Sequence, residues 1–248
     1  MEGETVMQEQ PTGPFVTTLD EAAAAEGFVS LFNGQDLTGW DGDADLWCVE
    51  DGAITGQLAE GQKLPFNKFL IWRGGEPRNF ELRMSFWQDG NNSGIQYRSR
   101  ELAEVGPFSV GGYQCDVHPN PPYNAQLYEE RGRGIVALRG QRIILAEDGS
   151  RWLIGTTGPV EEVRNDEWHE FTVIARGNHL VHKLDGELAM ELFDHDPEKR
   201  ALEGILGIQL HGGPPMKVQV KDVWLKILPD GGLLSPADTP LPPDAAKL

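Results

Sequence analysis

Phe80-Glu81-Leu82-Arg83-Met84-Ser85-Phe86 alternates apolar and polar side chains without a break. A period of two places successive side chains on opposite faces, so this stretch fits a half-buried strand and no helix. Residues 94–98, 113–118, 168–176, 179–184 and 204–211 carry similar alternation. Asp51-Gly52 and Asp185-Gly186 interrupt such runs, and Asp-Gly accepts the positive dihedral angles that a two-residue hairpin turn demands. In the last run Val218 and Val220 share a phase that Val223, Leu225 and Ile227 do not, which predicts a bulge near Lys221-Asp222. With 30 glycines and 17 prolines spread over 248 residues and one short helical pattern, the chain reads as an antiparallel β-sandwich.

Thr18-Leu19-Asp20-Glu21 fits a capping box ahead of Ala22–Ala25, and Gly27 supplies a left-handed stop, so a helix of about two turns is expected there. Residues 1–17 read as a flexible lead and 18–228 as the packed domain. Residues 229–248, with five prolines and adjacent glycines, read as an extended tail. The lead lacks a basic start and an apolar stretch. Location therefore stays open: secreted or periplasmic if an export signal has been removed, otherwise cytoplasmic.

Lys and Arg number 21 against 39 Asp and Glu, a net charge of −18. Such a chain is a poor partner for nucleic acid or an anionic membrane, since phosphate binding needs clustered cations. No run of 18 apolar residues marks a spanning helix. Cys48 and Cys115 either pair in an oxidising compartment or serve as small buried hydrophobes. The sequence leaves oligomeric state unknown.

Alternation also sorts the polar side chains. Gln114, Asp116 and His118 share one side of their strand, opposite Tyr113, Cys115 and Val117. Gln96 and Arg98 oppose Ile95 and Tyr97, and Gln209 and His211 oppose Ile208 and Leu210. An ordinary solvated face is rich in Lys and Glu, whereas these rows carry carboxamide, guanidinium, imidazole and carboxylate groups. On one sheet they form a surface able to hydrogen-bond a polyhydroxylated ligand.

The wording of the chain is itself distinctive. GFVSLFNGQDLTGW (27–40), WCVED, FELRMSF, NSGIQYR, GYQ, WHEFTVIARGN and GIQLHGGPPMKVQVKD occur in order over about 200 residues. Together they resemble the 3-keto-disaccharide hydrolase domain family. The resemblance implies a concanavalin A-like jelly roll of two curved antiparallel sheets, all-β apart from the short N-terminal helix, with a ligand groove on the concave face. It also implies cleavage of 3-keto-glycosides. A ketone at C3 acidifies the C2 proton, and the resulting enolate expels the C1 substituent by β-elimination. Water then adds back. That route needs a base, an enolate stabiliser and an acid.

His118 is the expected base, tuned by Asp116. Arg98 with Gln96 or Gln209 would hold the enolate oxygen, Glu130 or Glu129 would supply the acid, and His211 is a second candidate for acid or base. Gln114 and Tyr128 complete the expected substrate contacts, and Trp87, on the polar side of its strand, is the best ring for sugar stacking. Asp116, His118 and a glutamate could hold a divalent cation, so a cofactor is left open. The alternative to an enzyme is a non-catalytic, lectin-like carbohydrate-binding module. A laminarinase-type enzyme ranks last, because its E-x-D-x-x-E strand is missing. Asp41–Asp45 mimics a calcium loop without its closing glutamate, and Asn91-Asn92-Ser93 forms a sequon with no implied role. His169 and His179 are expected to face water, and His182 to sit at the edge of the core.

Overall fold

The computed structural model describes residues 21–164 and 166–248. The lead and the Thr18–Asp20 part of the capping box lie outside the described residues. The helix is present over Glu21–Ala25 and stops at Gly27 (φ 88°), where Phe28 N–H bonds back to the Ala23 carbonyl at 3.1 Å.

The other regular elements are strands apart from one turn of 3-10 helix at Pro121–Tyr123, and they form a jelly-roll sandwich of an eleven-stranded and a seven-stranded sheet. The smaller sheet runs Gly134–Ala137, Leu127–Glu130, Val110–Val117, Ser93–Glu101, Ile205–Leu210, Lys68–Trp72 and Trp40–Asp41, each antiparallel to the next. The larger is antiparallel except where Gln141–Leu145 lies parallel to Glu187–Asp194. Pattern and burial agree strand by strand. Phe80, Leu82, Met84 and Phe86 are all within 2% of full burial, while Glu81, Arg83 and Ser85 are not. The main core lies between the sheets, where Tyr97, Tyr113, Cys115 and Ile208 meet Phe80, Phe171 and Val220, and a smaller cluster gathers Phe69, Ile71, Val110 and Ile205. Cys115 is in that core and Cys48 on the surface, so both thiols are free.

The turn chemistry follows its sequence signals. Asp51-Gly52 (φ 50° and 74°) and Asp185-Gly186 (φ 51° and 81°) adopt the two positive angles of the hairpin turn. The register of Met216–Ile227 slips between Lys221 and Trp224, with Asp222 at φ 51°. That slip returns Val223 and Leu225 to the core.

Two expectations are corrected. Residues 229–248 do not extend away from the sandwich. Asn178 clamps Leu234 through both backbone groups at 3.0 and 2.8 Å, His195 Nε2 bonds Thr239 Oγ1 at 2.7 Å, and Ala246–Lys247 adds a strand beside Arg151–Thr156. Proline removed the helical and strand periodicity from this segment but left its carbonyls free to be bonded. His182, expected at the edge of the core, is fully buried, and burial pushes its pKa down to about 4.

Candidate active site

Val110–Val117 and Ile205–Leu210 both run antiparallel to Ser93–Glu101, the strand between them. They therefore point the same way, and His118 and His211, one residue past their ends, meet at one edge of the sheet. On the face away from the core these strands place Gln114, Asp116 and Gln209 beside Tyr128 and Glu130 of the next strand. A cleft of about 360 Å³ results, lined also by Asn67, Asn92, Tyr123 and Gln126. Gly94 stands opposite Asp116. A Cβ there would come within 2.5 Å of the Gln114 side chain, so the glycine of NSG opens the space that the carboxamide occupies.

Carboxylates direct the hydrogen bonds in this cleft. An ionised carboxylate only accepts, so each neighbouring carboxamide must turn its nitrogen inward. Asp116 is 3% exposed and takes Gln114 Nε2 on Oδ1 and Gln126 Nε2 on Oδ2 at 2.6 Å. Gln114 Oε1 in turn accepts from Gln96 Nε2 at 2.7 Å and Gln209 Nε2 at 3.0 Å. Glu130 accepts from Asn67 Nδ2 at 3.3 Å. Two oxygens are left over: Gln126 Oε1 and Gln209 Oε1 are buried without a donor, each costing about 1–3 kcal/mol while dry.

Among the described residues no cation pairs with Asp116. Burial raises its pKa to about 7, with repulsion from Glu130 adding to the rise and the two carboxamide donors opposing it. Burial likewise raises Glu130. Both imidazoles move the other way. Burial lowers His118, helped by the neighbouring His211, and burial lowers His211.

Their tautomers follow from their partners. The Asn120 backbone N–H donates to His118 Nδ1 at 3.0 Å, so the proton of the neutral ring sits on Nε2. Asn91 Oδ1 accepts from the Asn92 N–H at 2.9 Å, which turns its Nδ2 toward His211 Nδ1 at 2.8 Å. His211 too therefore carries its proton on Nε2.

The remaining sequence candidates lie elsewhere. Arg98 is corrected: at φ 46° it sits in a register break between Tyr97 and Arg100, and the bulge turns its side chain off the Gln96 face. Its guanidinium holds the carbonyls of Arg78 at 2.9 Å, Gly177 at 2.6 Å and Ala201 at 3.2 Å, with burial lowering its pKa to about 10. Trp87 belongs to the larger sheet, where its Nε1 donates to the Asp166 carbonyl at 2.8 Å. Glu129 alternates away from Glu130 and binds Arg133. Gln96 is fully buried behind Gln114, and its Oε1 accepts from Ser99 Oγ at 2.6 Å. Among the described residues no group of three His, Cys, Asp or Glu side chains is placed to hold a metal ion.

Asn67, Tyr123 and Gln126 escaped the sequence reading because they lie outside the alternating rows. Gln126 arrives through a buried relay. Ala125, at φ 63°, receives His182 Nδ1–H on its carbonyl at 3.1 Å, and His182 Nε2 accepts from Tyr97 Oη at 2.8 Å. The Ala125 N–H closes on the Asp116 carbonyl at 2.7 Å. The signal that could have found this relay is His182 itself, an imidazole on an apolar face.

Residues 27–226 match the family profile described as the 3-keto-alpha-glucoside-1,2-lyase-like domain. None of the curated proteins matches the chain in sequence. A provisionally named glycosyl hydrolase from Parabacteroides distasonis is similar in structure, with TM-score 0.57 and 23% identity over 85% of this chain and 98% of its own. The carbohydrate-binding module CBM66 of Bacillus subtilis follows at TM-score 0.52 and 14% identity, covering 77% and 98%. A Bacillus subtilis protein of unknown function with a galectin-like fold superposes at TM-score 0.52 and 10% identity, covering 77% and 90%. At these identities the likeness is one of fold.

Proposed function

The chain belongs to the 3-keto-alpha-glucoside-1,2-lyase-like family, and from that premise we propose that it cleaves 3-keto-glycosides by removing the C2 proton and eliminating the C1 substituent. The observation that carries this reading is Asp116, a buried carboxylate paired with no cation among the described residues and with a pKa of about 7. A base is most effective when its pKa matches the working pH, and carbon acids made by a neighbouring ketone need such a base.

Asp116 takes the C2 proton, and the C–H electron pair becomes the C2–C3 double bond of an enolate whose charge rests on the C3 oxygen. The Nε2–H groups of His118 and His211 are the donors suited to that oxygen, because each ring is kept neutral and has its other nitrogen engaged. This reassigns His118 from base to hydrogen-bond donor. When the ketone re-forms, the electron pair makes the C1–C2 double bond and the C1–O bond breaks. Glu130, whose affinity for a proton burial raises, gives the leaving oxygen its proton. Addition of water across C1–C2 completes net hydrolysis. Gln126 Oε1 and Gln209 Oε1 suit sugar hydroxyl donors, which would satisfy both.

The test is incubation with a 3-keto-glucoside in D2O. Release of the leaving group, with deuterium appearing at C2 of the recovered sugar, is the expected result. Saturable binding with no turnover would make the protein a lectin-like module instead, and cleavage without C2 exchange would overturn the elimination route.

A further inference from the structure

A second, larger cavity of about 630 Å³ shares Glu130 with the cleft as a wall residue. In a chain of net charge −18, this cavity gathers Arg100, Arg131, Lys199 and Arg200. Other charges around it are already matched. Arg133 pairs with Glu129 and with Asp194, Glu203 pairs with Arg78 at 2.8 Å, and Arg98 is committed to backbone carbonyls. Arg200 reaches only the His195 carbonyl, at 3.4 Å. Arg100, Arg131 and Lys199 are exposed and face the cavity with Glu198 as the one exposed carboxylate not committed elsewhere. The surplus is local and positive, and the remainder of the molecule would repel the ligand that such a surplus attracts.

We propose that this cavity is a subsite for an anionic leaving group: a sugar ring bearing a carboxylate, sulfate or phosphate, seated among Arg100, Arg131 and Lys199. The inference rests on the reading of the cleft as the elimination site. Under that reading Glu130 protonates the C1 oxygen, so the keto-sugar lies on its Asp116 side and the leaving group on its far side. Gly111 and Gly112 bring bare backbone to the wall of that far side, and the volume is ample for a monosaccharide, since small-ligand sites span ~300–1,000 Å³. Arginine and lysine at the cavity mouth bind anionic substituents through charge-assisted hydrogen bonds, within the ~8–10 Å over which such charges act before salt screens them.

The experiment compares two 3-keto-glucosides that differ only in the leaving group, glucose or glucuronic acid. Arg100→Ala/Lys199→Ala is the variant of choice, because Arg131 adjoins Glu130 and its replacement would disturb the acid. The wild-type protein is expected to show a KM for the 3-keto-glucoside of glucuronic acid at least tenfold below that for the neutral substrate. The double variant, or ~0.5 M NaCl, should erase the difference and leave neutral turnover unchanged. Equal KM values in the wild type, insensitive to salt and to the variant, would overturn the subsite while leaving elimination intact. Binding is measured separately by calorimetry with unoxidised glucosyl-glucuronic acid. Saturable binding that is lost in the variant, without turnover of either keto-glucoside, supports the subsite and removes the elimination reading. No binding at either salt concentration removes the subsite on its own account.

Discussion

Two aspartates on opposite sides of the smaller sheet are buried to nearly the same degree and held in opposite ways. Asp194, 1% exposed, takes the Tyr113 hydroxyl at 2.6 Å and the Arg133 guanidinium at 2.7 Å. Asp116, 3% exposed, takes its side-chain hydrogen bonds from two carboxamides, with no paired cation among the described residues. Burying a charge beside its counter-ion fixes that charge, and a carboxylate so fixed is a structural tie. Burying one among neutral dipoles leaves its proton affinity high, and it then titrates where a catalyst needs it. The difference sets a structural tie on the inner side of the smaller sheet against a titratable carboxyl on its outer side.

Exchanging each carboxylate for its amide tests that separation most strongly. Asp116→Asn is expected to lower turnover of a 3-keto-glucoside by about 10³-fold, within the ~10²–10⁴ range of general-base catalysis, with an unchanged circular dichroism spectrum. Asp194→Asn leaves Arg133 short of a partner and should cost about 3 kcal/mol in denaturant unfolding, as broken buried pairs do. Equal losses of activity and stability in the two variants would break the contrast.

The pH dependence sharpens it. As base, Asp116 must be ionised, so kcat/KM should climb through about pH 7 and fall tenfold per unit below it. Stability runs the other way. The folded pKa of about 7 exceeds the ordinary 3.8, so the native state holds the proton more tightly than the unfolded chain. The contribution of this carboxyl is full below pH 3.8, declines above it, and is gone once the pH has risen through about 7. Asp116→Asn should therefore gain stability on the wild type by a few kcal/mol across that window, followed by thermal unfolding at each pH. A difference independent of pH would place the pKa elsewhere.

Smaller effects come from the carboxamide shell. Gln126→Leu removes the donor on Asp116 Oδ2. A hydrogen bond to a charged group contributes about 1.5–3 kcal/mol, so the activity profile should move roughly one pH unit toward alkali. A profile that stays in place would mean the carboxamide does not set the proton affinity. Gly94→Ala drives a methyl group into Gln114. Overpacking of this kind costs about 1–3 kcal/mol, so a Tm lower by several degrees is expected together with a severalfold loss of kcat, since the displaced side chain faces the cleft. Loss of Tm without loss of kcat would show that Gln114 serves packing alone.

Much of the fold was legible because burial imposes a two-residue rhythm that the sequence has to obey. Phe80–Phe86, the Asp-Gly hairpins and the Lys221-Asp222 bulge all lie where that rhythm and its interruptions put them. Gln114, Asp116, Gln209, His118 and His211 were legible for the same reason, being the polar half of strands whose other half is core. Arg98 was misplaced because one residue in the left-handed region resets the phase beyond it, and arginine gives no warning of such a bulge. Trp87 was misplaced because alternation assigns a face and says nothing of which sheet the face belongs to.

The sequence by itself determined a two-sheet sandwich, the inward and outward side of each strand, and the family to which the chain belongs. Only the tertiary structure decided which outward sides share a sheet, that Asp116 pairs with no cation among the described residues, and that Gln126 comes to it over a buried histidine. Alternation is a local property of a strand. Proton affinity depends on everything within a few ångströms, and residues 67, 116, 126 and 209 become neighbours only when the sheet is assembled.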